Sequence, residues 1–205
     1  AIAQVLDAEG RIDLLVNNAG FGISGAVEFT DPEDAFAQLN VNFFGALHCV
    51  QAVLPAMRAQ MSGHIVNISS VAAPIAIPFQ SFYSATKSAT NSLTLALRNE
   101  VKPFGVKVCA ILPGDVKTGF TAARKKSGAG ADVYGKALDH AVCVMEHDEQ
   151  NGMPPELVAK AVLRAAKRKN PPAFTTVGFQ YQVFVFLNKI LPATWTNALV
   201  GMIYK

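Results

Sequence analysis

The sequence is poor in charged residues, in cysteine and in any excess of one charge. Only 16% of its 205 residues are charged and 51% are hydrophobic, which excludes a disordered chain and allows one domain with a substantial core. A net charge of +3 is too small for the basic stripe of a nucleic-acid-binding protein, so no nucleic acid is expected as a partner. Three cysteines, an odd number, exclude a disulfide framework and favour a reducing, cytoplasmic compartment.

Targeting signals and long uninterrupted apolar runs are also missing from the sequence. No charged segment followed by an apolar run stands at its beginning, so no signal peptide is expected. The longest apolar tract, in segment 179–205, is broken by Asn188, Lys189 and Pro192 and is too short to span a bilayer. This aromatic segment is expected to close a core, a subunit contact or an apolar pocket. A membrane partner is not favoured, although peripheral contact through 179–205 stays open.

Short apolar runs alternate with helical patterns along the chain. Strands are expected over 12–16, 64–68, 106–112 and 173–177, and helices over about 32–61, 81–101 and from 155 to before 170. Residues 119–152 are polar and glycine-rich without a clear pattern, and 179–205 is expected to be mostly helical. The alternation predicts a single α/β domain with a doubly wound, Rossmann-like parallel sheet.

Four groups of polar or small residues follow the expected strands or lie in the next helix. They are Asn17 to Gly20, then Asn42, then Ser70 with Tyr83 and Lys87, then Pro113 and Gly114 with Thr118. Open parallel sheets bind ligands at the carboxyl ends of their strands. The sequence therefore predicts one site at that edge.

The spacing of Tyr83 and Lys87 places both side chains on one face of a helix, one turn apart. At ~4 Å and an effective dielectric of ~20, an ammonium favours the phenolate by about 4 kcal/mol, or on the order of three pKa units. That would bring the tyrosine to the working range of a general acid or base. A surface pair on an amphipathic helix has the same spacing.

The other candidates also have two interpretations. Ser70 is expected to donate a hydrogen bond to a substrate oxygen, although an ordinary strand end has the same residues. Asn42 is a poor helix former inside a helical stretch, so it is expected to bond outside its own helix; a surface asparagine is the alternative. The segments 17–20 and 113–118 are turns by composition, and Thr118 is expected to hydrogen-bond an amide.

The combination of residues 64–70 (His-Ile-Val-Asn-Ile-Ser-Ser) with 82–87 (Phe-Tyr-Ser-Ala-Thr-Lys) resembles the short-chain dehydrogenase/reductase family, in its branch with an Asn-Ser-Tyr-Lys tetrad. The resemblance covers the chain from Ala1 to about Val177. It implies that Tyr83 is the general acid/base and that Lys87 lowers its pKa and holds the nicotinamide ribose. It further implies that Ser70 orients the substrate oxygen and that Asn42 fixes a water of the proton relay.

The same resemblance implies NAD or NADP as the cofactor and interconversion of a secondary alcohol and a ketone. The aromatic C-terminal segment suggests an apolar substrate, and 119–153 corresponds to the family's substrate loop. Family members commonly pair through the two long helices, so a homo-oligomer is expected. The residues implied in cofactor contact are Asn18, Ala19, Gly20, Tyr83, Lys87, Pro113, Gly114 and Thr118.

One departure from the family pattern is large. The initial strand, the glycine-rich phosphate loop and the residue that selects NAD or NADP are not in this sequence, and they would take roughly 60 to 75 residues. The apolar run Leu14 to Val16 would be an open sheet edge without them. The sequence is therefore expected to lack an N-terminal part of the fold. A binding protein without catalysis, on the same fold, is the alternative function.

A zinc site is the second alternative to a dehydrogenase. His140, Cys143 and His147 are spaced by three and four residues, which places them on one face if the segment is helical. A fourth ligand is not evident, and a solvated helix face is the preferred interpretation, so no metal is expected.

Overall fold

A computed structural model describes residues 1–204 of the chain. The strands are β1 (Leu14–Asn17), β2 (Ile23–Ser24), β3 (Gly63–Ile68), β4 (Val106–Pro113), β5 (Lys125–Lys126) and β6 (Phe174–Val177). The helices are α1 (Ile2–Glu9), α2 (Pro32–Leu39), α3 (Gly45–Ala59), α4 (Ser81–Glu100), α5 (Phe120–Ala123), α6 (Ala131–Gln150), α7 (Pro155–Lys167), α8 (Phe179–Ile190) and α9 (Ala193–Ile203).

Four parallel strands form the main sheet in the order β1-β3-β4-β6. They match the four strands expected from the sequence, and helices cover both faces of the sheet, so the α/β, doubly wound fold class is confirmed. The alignment of the strands brings Asn17, Ile68 and Pro113 to the same edge. Every predicted site segment begins at this edge or in the helix that follows it.

The core consists of two apolar layers, one on each face of the sheet. Neighbouring residues of a strand point to opposite faces, so Ile65 packs with α3 and α4 while Val66 packs with α7. Met57 and Ile65 are completely buried in the first layer. The remaining members of the first layer are Val50, Val53, Leu97, Val101, Val106 and Val108, and those of the second are Cys109, Ile111, Ala161, Ala165 and Val177.

Two regions differ from the expectation. The helix predicted over 32–61 contains a π-helical turn, Asn40–Phe44, between α2 and α3. The segment without a clear pattern contains α6, a helix of 20 residues. Its buried residues Leu138, Ala141 and Met145 have helical spacing, but the polar residues between them dilute that pattern.

The run from Pro32 to Ala59 is long and apolar enough to cross a membrane by length and composition, a test that helices of soluble proteins also pass. In the structure α3 packs on β1 and α2 packs on α4, so this run forms one layer of the fold.

The outer edge of the sheet, at β1, is open within residues 1–204. There β1 pairs only with β3, and Leu14 and Val16 are exposed.

Gly105 is the glycine on which the turn into β4 depends. Its φ is +70°, and a Cβ at this position would overlap the backbone carbonyl of Met61. Gly10 has the same φ of +70°, with nothing within 4 Å of the added atom. The G10A variant is therefore expected to lose about 1–2 kcal/mol of unfolding free energy from backbone strain alone. G105A is expected to lose a further ~1–3 kcal/mol from the clash. Urea unfolding of the two variants measures the difference, and equal losses would contradict the packing at Gly105.

Candidate active site

A cavity of about 1770 Å³ lies at the carboxyl ends of the strands. It is larger than most small-molecule pockets, which span roughly 300–1,000 Å³. Of the ten predicted site residues, Ala19 and Asn42 do not line it. The eight that do are Asn18, Gly20, Ser70, Tyr83, Lys87, Pro113, Gly114 and Thr118.

Lys87 is placed by the first turns of α4 and is only 5% exposed. Its Nζ donates a hydrogen bond of 2.8 Å to the carbonyl oxygen of Ile68, at the end of β3. Burial lowers the pKa of this ammonium to about 8. Lys87 lies at the wall of the cavity. Its amine gains or loses a proton near pH 8.

Tyr83 lies one helical turn before Lys87, and its ring centroid is 5.6 Å from the Lys87 Nζ. Burial raises the pKa of this phenol to about 12, and a hydrogen bond with the Ser70 side chain acts in the opposite direction. The expectation that Lys87 lowers the pKa of Tyr83 below its usual value is not met here. Loss of solvent around the phenol is the largest cause of the raised pKa, and Lys87 Nζ donates to the Ile68 carbonyl instead of to the phenol.

Asn42 stands in the π-helical turn and is 3% exposed. Its side chain accepts from the backbone N–H of Phe21 at 3.0 Å, and it donates to the Phe21 carbonyl at 3.0 Å and to Thr86 Oγ1 at 3.2 Å. The prediction that Asn42 bonds outside its own helix is confirmed. A Cβ on Gly20 would lie 3.1 Å from Asn42 Oδ1 and 3.7 Å from Lys87 Nζ, so a glycine leaves free space beside the ammonium.

Four residues near Tyr83 were not found by sequence reasoning. The ring of Phe120 lies 5.5 Å from that of Tyr83, and the Arg124 guanidinium lies 5.8 Å from the Phe120 ring. Arg124 pairs with Glu149 in the interior, and Thr121 Oγ1 donates to Glu149 Oε2 at 2.7 Å. This pair ties α5 to α6. Arginine and glutamate are usually exposed, so their sequence positions gave no indication of burial.

Asp115 and Tyr181 form a second contact at the cavity wall. The Tyr181 hydroxyl donates to Asp115 Oδ2 at 2.6 Å, and burial raises the pKa of Asp115. The Tyr181 ring covers Gly114 so closely that any Cβ there would overlap it. This contact fixes α8 to the end of β4. Thr118 Oγ1 accepts from the backbone N–H of Phe120 at 3.2 Å, a local turn contact.

The three residues considered for zinc lie on α6. His147 Nδ1 is 3.2 Å from Asp148 Oδ1. Nowhere in residues 1–204 do three histidine, cysteine, aspartate or glutamate side chains come together as a metal site. The geometry gives the zinc alternative no support.

Comparison with known proteins decides the family. The model of the short chain dehydrogenase family matches residues 1–128. The chain belongs to the short-chain dehydrogenase family. It is 42% identical over 192 residues to the 3-ketodihydrosphingosine reductase of Bacteroides thetaiotaomicron, a match that covers 92% of this chain and 71% of that relative.

Solved structures of the same family agree in fold. A short-chain dehydrogenase/reductase from Burkholderia phymatum in complex with NAD has a TM-score of 0.76 at 27% identity, covering 90% of this chain and 68% of that protein. A short-chain dehydrogenase from Burkholderia cenocepacia in complex with NADP has a TM-score of 0.74 at 26% identity, covering 97% and 73%. As a short-chain dehydrogenase, the protein is an oxidoreductase, and the alternative of a binding protein without catalysis is not favoured.

The lowered pKa of Lys87 has a consequence for folding stability. Between its folded value of about 8 and the ordinary 10.5, the unfolded chain binds more protons at this residue than the folded chain. Unfolding free energy from Lys87 therefore rises as pH rises through that window. We expect wild type to gain about 3 kcal/mol relative to K87M between about pH 7 and 10.

Chemical denaturation of both proteins across that pH range measures this gain. The matched control is K160M, at an exposed lysine of α7, whose difference from wild type should not change with pH. A pH-independent difference between wild type and K87M would show that Lys87 is hydrated in the folded protein.

Proposed function

We propose that this short-chain dehydrogenase interconverts a ketone and a secondary alcohol on a long apolar substrate, using NAD or NADP. The observation that carries the proposal is the position of Ser70, Tyr83 and Lys87 at the wall of one large cavity. The rest of the cavity is mostly apolar. Its side chains include Ile75, Ile77, Met145, Phe184, Leu187 and Leu191.

The residues around Lys87 fit the ribose and nicotinamide part of a dinucleotide. An ammonium has three N–H donors, and the bond to Ile68 uses one of them, which leaves donors for ribose hydroxyls. Gly20 keeps the space beside this ammonium free of side chain. When bound, the dinucleotide supplies or accepts the hydride. The residues that would hold it are Asn18, Gly20, Tyr83, Lys87, Pro113, Gly114 and Thr118, which line the cavity, and Ala19, which stands between Asn18 and Gly20 in the sequence.

Tyr83 is the residue that exchanges a proton with the substrate oxygen. Its pKa of about 12 keeps the phenol protonated at neutral pH, so Tyr83 holds the proton that a carbonyl oxygen would receive on reduction. The Ser70 hydroxyl donates to the same oxygen and stabilises the charge that develops there. Asn42 holds the turn at Phe21, and Lys87 Nζ binds the end of β3. The resemblance assigns Lys87 to the nicotinamide ribose and Asn42 to a water of the proton relay.

The long apolar substrate class is supported by two observations. One is the apolar lining of the cavity. The other is the relative from Bacteroides thetaiotaomicron, whose name states that it reduces 3-ketodihydrosphingosine. Since burial of each methylene group contributes about 0.8 kcal/mol, affinity should depend on chain length.

The proposal is tested with the full-length protein, NADPH or NADH, and a series of straight-chain ketones of increasing length. We expect kcat/KM to rise about fourfold per added methylene until the cavity is filled. Y83F should lower kcat by about 10²–10⁴-fold, because it removes the proton donor. Dinucleotide binding, followed by fluorescence, should change little.

Each result has a distinct meaning. Unchanged turnover by Y83F would remove Tyr83 from the reaction. A kcat/KM that does not depend on chain length would refute the apolar substrate class and leave the oxidoreductase assignment standing. The F82Y variant, next to Tyr83, is the control for a general disturbance of α4.

A homo-oligomer that pairs through the two long helical segments is a second proposal. Its support is a group of exposed apolar side chains on these segments, namely Phe36, Val41, Phe44 and Leu95. Sedimentation velocity should show a mass above that of one chain for wild type, and a lower mass for F36E/L95E. A single-chain mass for wild type would end this proposal.

A further inference from the structure

Helix α8 presents large apolar side chains on two of its faces. One face, with Phe184, Leu187 and Leu191 just beyond the helix, lines the cavity. The other contains Phe179, Val183, Phe186 and Ile190, spaced by four, three and four residues, and these are 82, 40, 60 and 60% exposed. Such spacing makes one continuous stripe along a helix. Contact with the cavity accounts for the first face, whereas the side chains of the second face are exposed to solvent.

Helix α9 contacts α8 and also exposes large apolar side chains. Trp195 is 63% exposed and Met202 is 64% exposed. Exposed apolar groups that are scattered singly are common, whereas a contiguous patch marks an interaction site. We call the six residues the C-terminal face: Phe179, Val183, Phe186, Ile190, Trp195 and Met202.

The sequence that contains the C-terminal face is basic, and this favours an anionic partner. The sequence from Leu157 to Lys205 contains no aspartate or glutamate, and it contains the cations Lys160, Arg164, Lys167, Arg168, Lys169, Lys189 and Lys205. Lys189 is exposed beside Ile190. A second copy docked face to face would bring lysines together with no carboxylate of this segment to pair with them. An anionic bilayer supplies both the apolar interior and the negative charge that this surface lacks.

The position of the cavity agrees with the same partner. Phe179 and Met202 belong both to the C-terminal face and to the lining of the cavity. The mouth of the cavity therefore opens beside this face. Phenylalanine and tryptophan are the residues that interfacial helices place at the level of lipid headgroups.

We propose that the C-terminal face of α8 and α9 docks the protein on an anionic lipid bilayer, with the mouth of the cavity at the lipid surface. The exposed side chains and the charges support the docking by themselves. Only the suggestion that substrate enters from the bilayer rests on the proposed function. A lipid-like substrate would then pass from the bilayer into the cavity without crossing water.

The test is binding of the full-length protein to vesicles, without substrate or cofactor. Wild type should co-sediment with mixed phosphatidylcholine–phosphatidylglycerol vesicles and much less with pure phosphatidylcholine. Trp195 is the only tryptophan in the sequence, so its fluorescence should shift to the blue on binding. The W195F variant identifies the part of the signal that comes from this residue.

Matched variants locate the binding surface. F186S/I190S should weaken binding by at least about tenfold, since two large apolar groups no longer enter the bilayer. K189E should weaken binding to the mixed vesicles specifically. The control V27S/V133S replaces two residues that are 58 and 63% exposed elsewhere in the chain, and it should bind as wild type does. Circular dichroism checks folding, and K189E, which changes only a surface charge, keeps the test valid if the double variant unfolds.

The following results would overturn the proposal: no vesicle binding by wild type, equal binding to both vesicle types, or the same loss in the control as in F186S/I190S. A mass that falls in F186S/I190S, with no vesicle binding by wild type, would assign the face to a second copy. Because no turnover is measured, failure here leaves the proposed ketone reduction untouched.

Discussion

The parallel pairing of β1, β3, β4 and β6 is the constraint on which the rest of the structure depends. Parallel strands end at the same edge, so segments far apart in the sequence meet there. Gly20 follows β1, Ser70 follows β3 and Gly114 follows β4. Tyr83 and Lys87 reach the same place because α4 starts from that edge and packs against β4. No short segment of the chain could build this site alone.

Loss of solvent sets the electrostatics of the site more than pairing of charges does. Burial raises the pKa of Tyr83 and lowers that of Lys87, so both groups are pushed toward their neutral forms. The Lys87 ammonium donates its hydrogen bond to the backbone carbonyl of Ile68 and not to the Tyr83 phenol. Burial therefore leaves Tyr83 protonated at neutral pH and brings the titration of Lys87 to about pH 8.

Much of the fold and three residues of the site could be predicted from the sequence. Each of the four sheet strands is a short apolar run, and the Ser70, Tyr83 and Lys87 motif is recognisable because its spacing is local. The contacts around it were not predictable. Arg124 meets Glu149 and Asp115 meets Tyr181 across 25 and 66 residues of sequence, and polar residues of these types are normally exposed. Helix α6 was missed because polar residues interrupt its buried stripe.

The sequence by itself determined the alternation of strands and helices, since apolar periodicity and turn residues act over a few positions. It also determined the family, through residues 64–70 and 82–87. Only the tertiary structure decided that the Tyr83 pKa is raised, that Asn42 holds the turn at Phe21, and that α8 has one apolar face at the cavity and another toward solvent. The physical reason is that burial and long-range hydrogen bonds depend on which distant segments meet, and a linear pattern does not contain that information.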